Sequence, residues 1–403
     1  MNKKLLVITI LAAMFLATSS GTAFSKPIAL PEKTLESTFV PKNIFYVSCD
    51  KKLLNKESIV AEYAQGTLFN GIQEAIDAAS AGDLVFVLPG TYEEAIILKE
   101  GVYVVGSGYD NTKIDATGIN TEYAVMGASY SVLQGFHIKN VSETASVIKL
   151  NKVRNMKILN NMLVGQANYG IHMQSSAFNL ISGNVIGFAD DSFEDVSLAH
   201  GIYLHGSSYN SVTKNKILSN QWAAILGHYA PNTQIHYNLI ARRQLDGGSS
   251  SHGAIYFVNC NNASLVHNTI ICEDSGTATP AGGLVIYFSQ GCTMLNNISL
   301  GTRYGVFLDG NSQLSASYST IFSEDLINGE HVKVGEGSVF NEGLEVSYEN
   351  PMVNKETGKL FSGSPCIDAA KVIDFNDPDN TTPEIGAFYY SGDSKPMESN
   401  AIE

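Results

Sequence analysis

Charge is scarce in this chain. Asp, Glu, Lys and Arg make up only 16% of its 403 residues, and it has one tryptophan. That composition is too apolar for a disordered chain and too poor in Lys/Glu pairs for a helical protein. Basic residues are the scarcer class, 25 against 39 acidic, for a formal net charge of −14. A nucleic-acid partner is therefore not expected, because phosphate binding needs a basic face. A polyanionic sugar meets the same repulsion unless a local basic cluster or a bound cation offsets it. Cysteines are few and odd in number: Cys49, Cys260, Cys272, Cys292 and Cys366. No pair has metal-ligand spacing, and small buried apolar residues are the expected role.

What is present begins with an address. Lys3 and Lys4 precede an apolar run from Leu5 to about Leu16, followed by the small residues TSSGTAFS. These are the charged, apolar and cleavage regions of a secretory signal peptide, so residues 1–25 are expected to be removed. The run is short for a membrane span, and no other stretch reads as one. A secreted or cell-envelope protein is the expectation, with no span in the mature chain.

The body of the chain is a repeat. Asparagines recur in the frames ILNNML, ISGNVI, VTKNKI, IHYNLI, LVHNTI and MLNNIS, at Asn161, Asn184, Asn215, Asn238, Asn268 and Asn297. Their spacings are 23, 31, 23, 30 and 29. A second frame, YGIHMQ, HGIYLH, AAILGH, GAIYFV and GGLVIY, stands about fourteen residues before most of them. Segments of this kind are short and β-branched, with no helical period between them to return the chain. Each turn must then be built of strands, which defines an all-β parallel β-helix of roughly ten coils, right-handed like other parallel crossovers.

Alternation assigns the faces. Ile171, Ile202, Ile225, Ile255, Leu284 and Val306 share one phase, and Met173, Leu204, Gly227, Phe257, Ile286 and Leu308 share the same face two residues on. Both columns are expected inside. The asparagines are expected to form a structural ladder at a corner. The opposite phase points out and reads His172, Tyr203, Leu226, Tyr256, Val285, Phe307, then Gln174, His205, His228, Val258, Tyr287, Asp309. His200, His252 and Trp222 precede their own strands. Thr, Ser and Lys would be ordinary on a solvated face, whereas a strip of His, Tyr and Trp suits sugar rings. The competing reading is a face covered by a loop or another subunit. Insertions at 188–199, 242–251 and 273–281 all fall between the asparagine strand and the outward His/Tyr strand, where a solenoid commonly builds a binding wall.

Near the N-terminus, LFNGIQEAIDAAS (68–80) has helical spacing at Leu68, Ile72, Ala75, Ile76 and Ala79. A short helix there would cap open strand edges. The expected organisation is a signal peptide (1–25), an N-terminal extension (26–67), a capping helix and turn (68–83), the β-helix (84–340), a closing segment (341–390) and a tail (391–403).

The run IQEAIDAASAGDLVFVLPGTYEEAIILKEGVYVVGSG resembles the opening of the pectin-lyase-like right-handed parallel β-helix superfamily, where alginate lyases, chondroitinase B and pectinesterase-like proteins begin similarly. The coils from 155 to 311 resemble its generic repeats, and SPCIDAA…PEIGAFYY resembles a closing segment of exported bacterial members. The resemblance implies fold more than chemistry, since lyases, hydrolases, esterases, epimerases, adhesins and inert scaffolds share it. No pectate-lyase signature is present. One expectation is a polysaccharide-active enzyme, above all a polyuronate lyase. Arg242 or Arg243 would neutralise the carboxylate, His205 or His228 would act as base, and Tyr203 or Tyr256 as acid. His172, Tyr256, Tyr287, Trp222, His200, His252 and Asp309 would bind the sugar. No cofactor is required, although calcium on Asp190, Asp191 and Asp195 could replace the arginine. A hydrolase would need two carboxylates, and Asp309 with a loop carboxylate is the loose candidate. The alternative is a non-catalytic surface or glycan-binding solenoid.

Overall fold

The computed structural model describes residues 40–50, 68–140, 142–187, 198–219, 221–244, 252–274, 282–324, 330–373 and 381–387. The chain divides into two compact units, the first reaching Val196 and the second beginning at Ser197. Both are stacks of three-stranded rungs. A rung gives one short strand to each of three parallel sheets, named A, B and C in chain order. The rung recurs ten times between Leu84 and Val334.

In the first unit, sheet A runs through Leu84–Val87, Tyr103–Gly106, Val132–Gln134, Lys157–Leu159 and Leu180–Ser182. In the second, one complete rung is Gln234–His236, Leu239–Gln244 and Ile255–Val258, and each strand pairs in parallel with its equivalents on adjacent rungs. Strands this short close a rung because the residues between them accept tight corners. Between sheets A and B the residue just before each ladder asparagine has left-handed backbone: Asn160 (φ 50°), Gly183 (69°), Lys214 (56°), Tyr237 (57°), His267 (51°) and Asn296 (57°).

The expected interior columns are interior. In sheet C of the second unit Ile202, Ile225, Ile255, Leu284 and Val306 are in register and fully buried, as are Ile148 and Ile171 in the first unit. Each such side chain contributes roughly 1.5–3 kcal/mol by leaving water. The asparagines form a buried ladder. The N–H of Asn215 donates to Asn238 Oδ1 at 2.9 Å, that of Asn238 to Asn268 Oδ1 at 3.0 Å, and that of Asn268 to Asn297 Oδ1 at 2.9 Å. In the first unit the Asn161 N–H donates to Asn184 Oδ1 at 2.9 Å. The amides satisfy corner N–H groups that strand pairing leaves over.

The N-terminal helix is shorter than the sequence spacing predicts. It covers Ile72–Ala78, while Leu68–Phe69 is a strand paired with Ile44–Val47, itself a neighbour of Leu84–Val87 in sheet A. Part of the N-terminal extension is therefore sheet. The helix start is fixed at long range: Glu94 accepts from Ile72 N at 2.7 Å and Gln73 N at 3.0 Å, filling two donors a helix start leaves open. The described residues of the closing segment, 341–373 and 381–387, are mostly irregular and are held by corner residues of the second unit. Asn296 Oδ1 accepts from Lys371 N and its Nδ2 donates to Lys371 O, both at 2.8 Å, while His267 Nδ1 lies 3.3 Å from Gly386 O. Cys260, Cys272, Cys292 and Cys366 are buried thiols and Cys49 is an exposed one, as free cysteines.

Candidate functional site

Sheet C of the second unit carries the outward strip in the expected register. Tyr203, Leu226, Tyr256, Val285 and Phe307 are opposite one another, and so are His205, His228, Val258, Tyr287 and Asp309. Side chains on adjacent rungs stand about 4.8 Å apart at the backbone, so large rings touch. His205 stacks on Tyr203 with centroids 5.6 Å apart and planes within 3°. Tyr203 meets His228 edge-on at 5.7 Å, and its hydroxyl lies 3.3 Å from His228 Nδ1. Trp222 packs edge-on against His252 at 4.8 Å, His252 lies 4.7 Å from Tyr256, Tyr256 lies 5.6 Å from Tyr287, and Tyr287 lies 5.8 Å from Phe307. The strip is interrupted by two buried aliphatics, Leu226 and Val285. Trp222 is exposed, at 42%, and so is the His205 ring.

Titration behaviour follows from burial. His228 is lowered from the ordinary imidazole value, first by desolvation and then by the neighbouring His205. His252 falls to about 4 through desolvation, the Arg242 guanidinium and His228. Tyr256 is raised by desolvation, and Tyr287 reaches about 12 through desolvation with Tyr256 and Asp309 beside it. At neutral pH the strip thus offers neutral imidazoles that accept protons and protonated phenols that donate them.

Several expected residues lie elsewhere. Arg242 and Arg243 are not in a loop, because the sheet B strand continues through Gln244 and pairs them with Cys272 and Glu273. Consecutive strand residues point to opposite faces, so the two arginines part. Arg242 is fully buried, donating to Cys272 Sγ at 3.6 Å and to Gln221 O at 3.3 Å. Arg243 pairs with Glu273 at 2.8 Å, in a cluster where Lys355 joins Glu273 and Glu324. Neither is presented on the outer strip. His200 is buried below it, with Nδ1 3.3 Å from Ala223 O and its ring 6.0 Å from Trp222. His172 belongs to the first unit, beside Tyr169 at 4.6 Å. Asp309 stands at the far end of the strip, where its Oδ1 accepts from Gly310 N at 2.7 Å. Asp190, Asp191 and Asp195 lie outside the described residues. Among the described residues no group of three or more His, Cys, Asp or Glu is placed to hold a metal, and no helix is long and apolar enough to cross a membrane.

One cation was missed. Arg303 comes two residues before Gly305, as Trp222 comes two before Ala224 and His252 two before Ala254. It is part-exposed and immediately precedes the strand Tyr304–Asp309, in which the Tyr304 and Phe307 rings lie 5.6 Å from each other. Among the described residues its guanidinium makes no ion pair, unlike that of Arg243. Extending the frame two residues toward the N-terminus would have found it.

Comparisons with known proteins agree with this architecture. Residues 151–321 and 200–365, together more than half of the chain, match the family described as right handed beta helix region. No curated protein matches the sequence. The crystal structure of pectate lyase Pel9A is 14% identical, with a TM-score of 0.53 over 88% of this chain and 98% of that one. The ORF18 protein of Geobacillus virus E2 is 16% identical with a TM-score of 0.45; 68% of this chain matches it, spanning 56% of that protein's length. DFA-IIIase from Arthrobacter chlorophenolicus A6, in complex with GF2, is 12% identical with a TM-score of 0.45 over 83% of this chain and 100% of that one. The likeness to pectate lyase Pel9A, at 14% identity, shows the fold alone.

Proposed function

The chain belongs to the right handed beta helix family, and from that premise we propose that the outer face of sheet C in the second unit binds a polysaccharide and acts on it as a polyuronate lyase. The observation that carries the reading is the Tyr203 hydroxyl 3.3 Å from His228 Nδ1, set within a strip of rings that touch from rung to rung. Sugar rings have apolar faces that stack on such side chains and hydroxyl edges that bond to imidazole and phenol. The structural neighbour with the higher TM-score is called a pectate lyase, which supports chemistry of this class. The N-terminal leader supports export, so the substrate would be met outside the cell or at its envelope.

Elimination from a uronate removes the proton beside the carboxylate, forms a carbon–carbon double bond and expels the glycosidic oxygen, which takes up a proton. In this reading the Tyr203 oxygen takes the carbon-bound proton as its own passes to His228 Nδ1. Burial and His205 favour the neutral imidazole, and in its Nε2–H tautomer Nδ1 is the acceptor. Tyr256 supplies the proton to the leaving oxygen. Arg303 stands four rungs from Tyr203, about 19 Å along the stack, so it would hold the carboxylate of a uronate farther along the bound chain rather than that of the reacting sugar.

A second reading is binding without turnover, favoured by the withdrawal of Arg242 and Arg243 from the face. Ultraviolet absorbance of the protein with a panel of polyuronates separates the two, because only elimination creates the unsaturated, absorbing product. The lyase reading expects rising absorbance that falls at least about a hundredfold in Tyr203→Phe and survives chelation of calcium. No absorbance change on any polyuronate, with binding retained, selects the second reading.

A further inference from the structure

The edge where sheet C turns into sheet A carries a second set of aromatic rings that the strip does not use. In the second unit these are Tyr209, Tyr229 and Phe288, exposed by 52%, 62% and 55%. All three have left-handed backbone, with φ of 56°, 54° and 52°. That conformation crowds the β-carbon of an ordinary residue and favours Gly or Asn. Other rungs make the same turn with those residues, at Asn232, Asn259, Asn262, Gly206, Gly291 and Gly310. The fold therefore does not ask for an aromatic ring here, and rings this exposed repay little of the strain by burial.

The surroundings narrow the occupant. The turns at 206–210, 229–233, 259–263, 288–292 and 310–312 contain no Asp, Glu, Lys or Arg, in a chain with a net charge of −14. Planar amides stand beside the rings along the same turns and bond from rung to rung. Asn262 Nδ2 donates to Asn232 Oδ1 at 3.4 Å, Asn261 Oδ1 accepts from Gln290 N at 2.8 Å, and Gln290 Nε2 donates to Asn311 O. The Phe288 ring lies over Gly310, where an added β-carbon would meet it at 2.6 Å. Its centroid is 6.2 Å from that of Tyr287, so the edge is continuous with the strip. Tyr229 N donates to Val258 O and Asn259 N to Tyr287 O, so Tyr229, Asn259 and Phe288 hold one position on successive rungs. The two residues are thus about 9.6 Å apart along the stack at the backbone, with Asn259 between them.

We infer that this edge is a second carbohydrate-binding row, taking an uncharged stretch of polysaccharide whose ring faces stack on Tyr229 and Phe288 and whose hydroxyls bond to the intervening amides. Alternating isolated rings and amides fit a ligand with repeating apolar faces and polar edges, whereas a protein partner would be met by a contiguous apolar patch. The inference rests on the polysaccharide reading of the chain, but on none of the proton chemistry assigned to the strip.

The test is the double variant Tyr229→Asn/Phe288→Asn. Asparagine is the residue other rungs use at these turns, so the variant keeps the fold and melts no lower than the parent. Affinity electrophoresis is run through gels containing xylan, mixed-linkage β-glucan, galactomannan, alginate or polygalacturonate. The parent is retarded in at least one uncharged polymer, and the double variant binds that polymer about tenfold more weakly. Equal retardation of parent and variant in every gel, or no retardation of the parent by any uncharged polymer, overturns the inference. The strip variant Tyr203→Phe/Tyr256→Ala is run alongside. If it binds and turns over like the parent while the edge variant loses affinity, the strip assignment fails and the row stands.

Discussion

Replacing Asn238 by alanine strikes the ladder in its middle. The Asn238 Oδ1 accepts from the N–H of Asn215 at 2.9 Å and from Asn215 Nδ2 at 3.0 Å. Its Nδ2 donates to Val212 O, His236 O and Asn268 Oδ1, each at 2.9 Å. Asn238 is fully buried and Asn215 nearly so, so water does not replace these partners. Two donors of Asn215 lose this acceptor, at roughly 1–3 kcal/mol each. Asn238→Ala should therefore cost about 4 kcal/mol, a large share of the ~5–15 kcal/mol that holds an ordinary domain together. Serine should cost about half as much, because the ladder already ends on a hydroxyl: Asn297 N donates to Ser319 Oγ at 3.1 Å. Urea unfolding followed by circular dichroism and by tryptophan emission measures both variants, and two probes are needed because stacked rungs can unfold in steps. An alanine variant within about 1 kcal/mol of the parent, or a serine variant no better than alanine, would refute the reasoning.

Acid sensitivity should trace in part to His252. Its folded value of about 4 lies below the ordinary imidazole value, so the unfolded chain takes the proton first as pH falls. Stability from this group is intact above about pH 6.5 and declines down to about pH 4, by on the order of 2 kcal/mol for a ring still partly open to water. His252→Gln should flatten the urea midpoint across that window, and an unchanged slope would remove His252 from the account. Arg303→Ala should weaken polyuronate binding about tenfold with stability within about 0.5 kcal/mol, whereas Arg243→Ala should leave binding and turnover intact and cost about 1 kcal/mol. Mass spectrometry of the exported protein should find a chain beginning near Phe24 or Lys26; intact Met1 in the membrane fraction would contradict export by cleavage.

The core was legible because a period of two leaves no freedom once one face is buried. A shift of one residue would have exposed Ile225 and buried His228, and the buried column and half-open imidazole both follow from that constraint. The ladder was legible because an amide repeated at one corner has a single local use. The arginines were misread for a related reason. RRQLDGGSSS looks like an insertion, but its first three residues continue a strand, and strand alternation buries Arg242 and turns Arg243 toward Glu273. Where a strand stops depends on hydrogen bonds to the next rung, about thirty residues away, which no local pattern reports. Glu94 reaching the helix at Ile72 and Ile44–Val47 joining sheet A are likewise long-range. Arg303 was within reach, since it shares the frame of Trp222 and His252.

Trp222 is the only tryptophan in the chain and an exposed ring of the strip, so its emission reports directly on occupancy of that face. Titration of the parent with oligosaccharides cut from the panel of polyuronates and neutral glycans should give a saturable change in Trp222 emission for at least one of them. The same titration of His252→Ala, which removes the ring 4.8 Å from the indole, should give a weaker response with a raised dissociation constant. A polyuronate oligosaccharide that binds the protein tightly by calorimetry while leaving Trp222 emission unchanged would place the uronate-binding face elsewhere and contradict the account.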